Sequence, residues 1–220
     1  MARAEVCAAV AEAIAPRGRR YERPAPAGAP RASDDEPLRA VHVLAALAER
    51  VPAEAIVVEE TPSSRPDLHR LIPARQSLGF LSAAMGGLGF ALPAAIGLRM
   101  AAPRRPVVAV IGDGSSLYAV QALWTAAHYR VGVLIVVLAN GRYAVMDRLA
   151  EQHGSGKPAW PAFTEVSVHG LARALGCPAQ RVESAVELEA VLDAVVPTLG
   201  ERTEPLLIEA AVRVEPTFEA

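Results

Sequence analysis

Residues 107–116 read VVAVIGDGSS, and residues 133–143 read VLIVVLANGRY. Each stretch begins with a run of apolar, mostly β-branched residues without polar alternation, which is typical of parallel strands covered on both faces. Asp113 and Asn140 directly follow these runs. Because the carboxyl ends of parallel strands meet at one crevice of an open sheet, we expect both side chains to lie there. A carboxylate, an amide oxygen and the backbone oxygen of Arg142 would suit a Mg²⁺ ion that also holds a diphosphate.

Each of these short motifs has a simpler interpretation as well. Asp and Gly dominate turns for conformational reasons, and an isolated Asn-Gly is typical of a β-hairpin. The buried strand before each motif and the helix-like sequence after it favour a ligand site instead. Backbone N–H groups of Gly114, Ser115 and Ser116 are then expected to face the phosphates.

The rest of the chain alternates helical and strand-like patterns around these two strands. Apolar residues at helical spacing predict helices over residues 38–51, 87–102, 115–129, 167–176 and 184–197. Short apolar runs predict strands at residues 55–58 and 206–211. Ser167 and Ser184 are predicted helix caps, and Glu187 completes a capping box with Ser184. The alternation indicates an α/β fold, a doubly wound parallel sheet with helices on both faces.

Composition agrees with one such domain and excludes several classes of function. The 220 residues are 52% hydrophobic, which suffices for one two-sided core. A net charge of −2 and scattered arginines give no electrostatic footprint for nucleic acid. Cys7 and Cys177 stand far apart, so they predict neither a zinc site nor a disulfide framework. No apolar run reaches the roughly 18 residues of a membrane span. We expect a soluble protein of the reducing cytoplasm.

The first 36 residues differ in character from the rest. Residues 5–15 could form one short helix, but prolines and glycines then break every helical or strand period up to residue 37. We therefore expect residues 1–36 to be the end of a preceding domain plus a Pro-rich linker, and residues 37–220 to be the main domain. The chain resembles the C-terminal part of something longer. Met1 could be a native subunit start, a misassigned start or a fragment boundary.

Three ordered segments carry a resemblance to a known family. They are GGLGFALPAAIG at residues 86–97, GDGS at residues 112–115 and ALWTAA at residues 122–127. With these segments the chain resembles the thiamine diphosphate-dependent decarboxylases, and within them the benzoylformate decarboxylase group. The resemblance covers the chain from about residue 37 onward, as the family's C-terminal, diphosphate-binding domain. It implies the thiamine diphosphate-binding fold, thiamine diphosphate and Mg²⁺ as cofactors, and a 2-keto acid as substrate.

The resemblance also implies roles for particular residues. Asp113, Asn140 and the backbone oxygen of Arg142 would bind the metal. The residues expected to contact the cofactor are Gly86, Gly87, Leu88, Gly112, Asp113, Gly114, Ser115, Ser116, Asn140 and Tyr143. Two positions depart from the family pattern. Ala139 replaces the first residue of an Asn pair, and Arg142 is bulkier than the usual small or polar residue, which could alter access to the cleft.

Gly86 and Leu88 are the residues for which the resemblance implies a catalytic role. The side chain matching Leu88 would wedge between the two rings of the cofactor and force a bent shape. The carbonyl of Gly86 would accept a hydrogen bond from the pyrimidine amino group. This bend brings the amino group next to the reactive carbon, a proximity effect that accelerates proton transfer. Mere close packing of the glycine-rich loop against the sheet is the alternative.

Other polar residues receive no catalytic role. His42 lies within a helical stripe, His128 follows a predicted helix turn, and the other three histidines have no partner at a recognisable spacing. We expect structural or surface roles for all five. Glu59 and Glu60 end a strand and could reach the crevice, but a paired acidic strand end is more often a solvated edge. Residues 144–146 could line an acyl pocket or equally pack in the core.

The resemblance places one essential group outside this chain. In the family, a glutamate of a separate pyrimidine-binding domain on a neighbouring subunit activates the cofactor. We therefore expect this chain alone to be inactive, and to work with that domain in a homo-oligomer, with a dimer as the first expectation. The alternatives are an acetolactate synthase-like carboligase domain and a non-catalytic subunit that keeps only the diphosphate site.

Overall fold

The computed structural model of the protein describes residues 30–33, 36–154 and 160–214, and also Glu5, Ala8, Ala9, Glu12 and Ala13. These five residues are helical, as expected for residues 5–15, whereas the other residues of that stretch and most of the expected linker lie outside the described residues. The proposed boundary after residue 36 therefore stays a prediction.

Six parallel strands form one sheet in the order β2-β1-β3-β4-β6-β5. The strands are β1 Ile56–Glu60, β2 Phe80–Ser82, β3 Val107–Gly112, β4 Leu134–Ala139, β5 Ala179–Val182 and β6 Leu206–Ala211. The chain runs from β1 outward to β2 and then returns to β3 on the other side of β1. This reversal makes the carboxyl ends of β1 and β3 a topological switch point, where open α/β sheets bind ligands.

Helices cover the sheet on both faces. They are α1 Ala40–Arg50, α2 Arg65–Leu71, α3 Ala91–Ala101, α4 Asp113–Ser116, α5 Ala122–His128, α6 Ala144–Gln152, α7 Val168–Ala174 and α8 Ala185–Val195. Short 3₁₀ turns occupy Pro62–Ser64 and Val196–Thr198. Among the described residues, every helix is too short or too polar to cross a membrane.

Side-chain alternation along the strands explains the two layers. Val110 and Val136 belong to a buried cluster under α1 and α8, whereas Ala109 and Ile135 belong to a second cluster under α3, α5 and α7. All four side chains are buried. Since successive strand residues point to opposite faces, an unbroken apolar run fills both cores. The predicted doubly wound α/β fold is confirmed.

The helix predicted over residues 115–129 is wrong as one element. α4 ends at Ser116, and α5 begins only at Ala122. Between them, the backbone N–H groups of Tyr118 and Ala119 bond to carbonyls three residues back, which forms turns instead of α-helix. The apolar spacing that predicted one helix also suits this interrupted path, because Ala119 of the turn packs in the same buried cluster as Leu123 and Ala126 of α5.

The helix predicted over residues 87–102 begins later than expected. α3 starts at Ala91, because Gly89 has a φ of +94°, which is incompatible with an α-helix. Ser167 and Ser184 cap their helices as predicted, accepting from the N–H groups of Gly170 and Glu187. The Glu187 carboxylate accepts from the N–H of Glu183 and not from that of Ser184.

Candidate active site

A cleft with a volume of about 320 Å³ opens at the carboxyl edge of the sheet, beside the ends of β1, β3, β4 and β6. The predicted site residues that line it are Gly86, Leu88, Gly112, Asp113, Gly114, Ser115, Asn140, Arg142 and Tyr143. The predicted pocket residues Ala144, Val145 and Met146 line it as well. The fold thus brings together segments that are far apart in the sequence.

Asp113 lies at the base of this cleft and is 6% exposed. Its Oδ1 accepts a hydrogen bond from the N–H of Gly114 at 2.8 Å, and its Oδ2 accepts one from the N–H of Gly141 at 2.6 Å. The carboxylate therefore joins the end of β3 to the loop after β4. Burial raises the pKa of Asp113, although these backbone hydrogen bonds oppose the rise.

The surroundings of Asp113 fit a metal ion. Within the described part of the chain, the Asp113 carboxylate accepts hydrogen bonds from backbone N–H groups and has no cationic partner. Each oxygen that accepts one hydrogen bond keeps lone-pair capacity. A bound cation would offset the desolvation that raises the pKa, and an all-oxygen donor set suits Mg²⁺.

Asn140 and Arg142 complete the predicted donor set on the loop after β4. The Asn140 Oδ1 accepts a hydrogen bond from the N–H of Arg142 at 3.0 Å, which folds the loop into a tight turn. The Arg142 guanidinium pairs with Asp147 of α6, with 3.1 Å between Nε and Oδ2. This ion pair holds the guanidinium against α6, while Arg142 remains part of the cleft lining.

Tyr143 packs against the backbone of Gly114. Its hydroxyl lies 3.5 Å from the Gly114 carbonyl oxygen, and its ring makes an edge contact with Phe163, with centroids 5.1 Å apart. A Cβ atom on Gly114 would lie 2.6 Å from the Tyr143 ring, so any larger residue would force that ring to shift. Burial, followed by the neighbouring Tyr118, raises the pKa of Tyr143.

Two predicted cofactor contacts lie outside the cleft lining, namely Gly87 and Ser116. Ser116 is buried, and its hydroxyl donates a hydrogen bond to the Asp113 carbonyl at 2.6 Å. The N–H of Gly114 is likewise already used by the Asp113 carboxylate. Of the predicted phosphate-facing residues, Gly114 and Ser115 line the cleft.

The turn after β1 was missed by sequence reasoning. Thr61, Pro62, Ser63 and Ser64 all line the cleft, as does Arg213 beyond β6. The apolar run predicted the strand only over residues 55–58, with Glu59 and Glu60 as its acidic end, whereas both glutamates are part of β1. Extending the strand would have placed the hydroxyl-rich Thr-Pro-Ser-Ser segment at the same carboxyl edge as Asp113.

The expectation of a solvated acidic edge at Glu59 and Glu60 is wrong, because both side chains are buried. Glu59 accepts hydrogen bonds from the Thr61 N–H at 2.7 Å and the Ser82 hydroxyl at 2.5 Å, and it pairs with Arg65 at 3.1 Å. These hydrogen bonds replace the water that the carboxylate loses, which is why it can be buried at the end of the strand.

None of the five histidines, all of which are described, lines the cleft. His128 stacks on Trp124 with ring centroids 4.6 Å apart. The Nδ1 atom of His169 lies near both the Ser167 hydroxyl and the Glu209 carboxylate. Because both partners meet the same ring nitrogen, the imidazole does not bridge Ser167 and Glu209 through its two nitrogens as in a catalytic triad.

A family model for the C-terminal TPP binding domain of thiamine pyrophosphate enzymes matches residues 62–210. The chain belongs to this family. Benzoylformate decarboxylase of Pseudomonas aeruginosa is 34% identical over 215 residues, an alignment covering 93% of this chain and 39% of that relative. A putative acetolactate synthase large subunit IlvX of Mycobacterium tuberculosis is 30% identical over 170 residues, covering 74% of this chain and 32% of that protein.

Solved structures agree with this assignment of the thiamine pyrophosphate-binding domain. The thiamine diphosphate-dependent 4-hydroxybenzoylformate decarboxylase of Rhodococcus jostii RHA1 matches with a TM-score of 0.83 and 27% identity, over 95% of this chain and 39% of that one. Benzoylformate decarboxylase of Polynucleobacter necessarius gives a TM-score of 0.78 at 28% identity, over 86% of this chain and 36% of that one. The chain therefore spans about two fifths of the length of such relatives.

Proposed function

We propose that the chain is the diphosphate-binding part of a Mg²⁺-dependent 2-keto acid decarboxylase that acts on benzoylformate or a similar aryl keto acid. The observation that carries this proposal is the buried Asp113 carboxylate at the switch point of the sheet, beside Asn140. Asp113, Asn140 and the Arg142 carbonyl would hold Mg²⁺. When bound, thiamine diphosphate supplies the electron sink that decarboxylation of a 2-keto acid requires.

The chain's own residues have distinct tasks in this proposal. The metal ligands and the backbone around Ser115 bind the diphosphate end of the cofactor, and Leu88 holds its shape. The apolar surface of Ala144, Val145 and Met146 orients an aryl keto acid and excludes water from it. The diphosphate end and the metal are held by this chain's own residues, whereas turnover further requires a pyrimidine-binding domain from the same protein or a partner subunit.

A carboligase is the second candidate, because the acetolactate synthase-like relative also aligns with most of this chain. Both candidates use the same diphosphate site, so they differ in the substrate and not in the metal chemistry. A cytoplasmic location is part of the proposal and is supported by Cys177, a buried free thiol.

Calorimetric titration of the chain with thiamine diphosphate tests the metal site directly. We expect binding to require Mg²⁺, and Asp113→Ala to weaken the Mg²⁺-dependent binding by roughly 100-fold or more, because a direct anionic ligand is lost. Asp193→Ala, which removes an exposed carboxylate of α8, is the matched control and should bind like the parent.

The pH dependence provides a second signature in the same titration. Protons compete with Mg²⁺ for Asp113, and its raised pKa means that affinity falls, as pH is lowered, earlier than for an ordinary aspartate. Equal binding by Asp113→Ala and the parent, with and without Mg²⁺, would contradict the metal assignment.

A further inference from the structure

Glu60 is the last residue of β1 and is 2% exposed. Its carboxylate accepts hydrogen bonds from three consecutive backbone N–H groups, those of Gly89 at 2.8 Å, Phe90 at 2.6 Å and Ala91 at 2.7 Å. These groups open α3, where N–H groups lack partners within the helix. The negative charge also interacts favourably with the helix dipole. The end of β1 therefore anchors the start of α3 from outside.

The anchored segment is the loop that carries Leu88 into the cleft. Gly86 and Gly89 have φ values of +69° and +94°, so the loop is not a continuation of α3. Leu88 lines the cleft directly before the first anchored N–H group, that of Gly89. Because glycine has more conformational freedom than any other residue, a loop with these two glycines needs contacts outside itself to hold one conformation.

The same anchor is linked to the metal site through the sheet. β1 and β3 are paired strands, and Glu60 lies opposite Ile111, two residues before Asp113. The Glu60 carboxylate thus ties the Leu88 loop to the rigid pair of strands that also supports Asp113. A side chain of a loop is placed accurately only when its supporting hydrogen bonds are fixed in this way.

We propose that Glu60 is a positioning residue that sets the place of Leu88 in the cleft relative to Asp113. The inference rests on the proposed function, since it assigns the loop a role in holding the cofactor. Glu60 itself touches no reacting group, because its carboxylate is buried against the backbone of α3.

Glu60→Gln is the informative substitution. Gly89 donates to Oε1, and the next two N–H groups donate to Oε2. An amide offers only one acceptor oxygen, so its NH₂ group would face an N–H donor and at least one hydrogen bond would be lost. The matched control is Glu209→Gln, another buried glutamate, which accepts the N–H of His169 in the first turn of α7.

Two measurements on the parent and both variants test the proposal, and the first needs no ligand. Hydrogen exchange should accelerate about tenfold or more at residues 89–91 in Glu60→Gln, and not in Glu209→Gln, at matched loss of thermal stability. The affinity for thiamine diphosphate with Mg²⁺ should fall about tenfold in Glu60→Gln and less than about twofold in the control.

The outcomes distinguish failure of the positioning role of Glu60 from failure of the proposed function. Exchange at residues 89–91 that is no faster in Glu60→Gln than in the control overturns the positioning role. Faster exchange with unchanged cofactor affinity also overturns it, because the loop would then be loosened without consequence for the ligand. If the parent itself does not bind thiamine diphosphate with Mg²⁺, the proposed function fails, and exchange alone judges whether Glu60 fixes the loop.

Discussion

Three buried carboxylates lie at the carboxyl ends of β1 and β3, where the cleft opens, and each is stabilised differently. Glu59 has an arginine partner, Glu60 has three backbone amides, and Asp113 has two backbone amides and a raised pKa. The raised pKa favours the protonated form in the folded state. Its contribution to stability is therefore present below the pKa of an unfolded aspartate and is lost as pH rises through the folded-state pKa. At neutral pH a cation bound at Asp113 would offset the cost of burying the ionised carboxylate.

Leu88 is expected to act on the rate of catalysis and not on the binding of charge. It is an apolar side chain that lines the cleft and is only half-buried in the isolated chain. In an assembly that includes the pyrimidine-binding domain, we expect Leu88→Ala to lower kcat about 100-fold and to change cofactor affinity far less. A side chain that selects the reactive cofactor shape affects the barrier more than the anchoring of charge.

Steady-state kinetics and a cofactor titration of the same assembly check this prediction. Leu78→Ala, which truncates an exposed leucine outside the cleft, is the control and should leave both quantities near the parental values. A Leu88→Ala enzyme with near-parental kcat and greatly weakened cofactor binding would assign Leu88 an anchoring role instead.

Among the helices and strands, hydrophobic periodicity predicted the long apolar strands at the centre of the sheet and missed the short or polar elements. β3 and β4 were predicted almost to the residue because continuous β-branched runs have one structural explanation in a two-faced sheet. β2 and β5 were missed because they are three and four residues long and lack such runs. α2 was missed as well, since its seven residues carry four polar side chains and a proline.

The residues of the candidate site likewise divide into those that a sequence pattern predicts and those that only the fold reveals. The positions of Asp113 and Asn140 could be predicted because they end strands with a clear pattern, and the strand-end rule places them at one edge. Glu60 could not be assigned, because its partners are backbone N–H groups about thirty residues away in the sequence. Backbone donors leave no side-chain signature, so only the fold reveals them.

Two glycines in the predicted motifs provide a test at this scale. Gly114→Ala places a Cβ atom 2.6 Å from the Tyr143 ring at the junction of β3 and α4, and overpacking of this kind costs about 1–3 kcal/mol. Gly97→Ala adds a methyl group to the interior of α3, where nothing lies within 4 Å, and should stabilise the fold by roughly 0.5–1 kcal/mol.

Denaturant unfolding of both variants measures these opposite shifts. Cofactor binding should also weaken in Gly114→Ala and stay parental in Gly97→Ala, because only the former disturbs the cleft. A Gly114→Ala variant as stable as the parent would mean that Tyr143 moves aside freely, and that the contact does not shape the site.

At the scale of the whole molecule, the surface carries exposed aromatic residues beside the cleft-bearing edge and along α5. Tyr118, Trp124 and Tyr129 are each at least half exposed, at 59%, 50% and 59%. Large exposed aromatic side chains favour protein–protein contact. Together with the chain's two-fifths share of its relatives' length, they support the proposal that this domain works against a partner domain in a dimer or larger oligomer.

The proposed roles of the two domains predict the activity of the isolated chain and of the assembly. The proposed metal and diphosphate ligands lie in this chain, whereas the acid that activates the cofactor would come from the pyrimidine-binding domain. We therefore expect the isolated chain to release no measurable benzaldehyde from benzoylformate, and an assembly with that domain to release it. Asp113→Ala in the same assembly should abolish the release, which ties the activity to this cleft and not to the added domain.

Sedimentation tests whether the exposed aromatic residues form an interface between copies of the chain. If the aromatic surface is an interface, the isolated chain should self-associate as its concentration rises, and Trp124→Ala should weaken that association without changing Mg²⁺-dependent cofactor binding, because Trp124 lies outside the cleft. A chain that stays monomeric at every concentration would reject the interface. Turnover by the isolated chain would overturn the two-domain mechanism itself, since this domain would then have to supply the activating acid from its own residues.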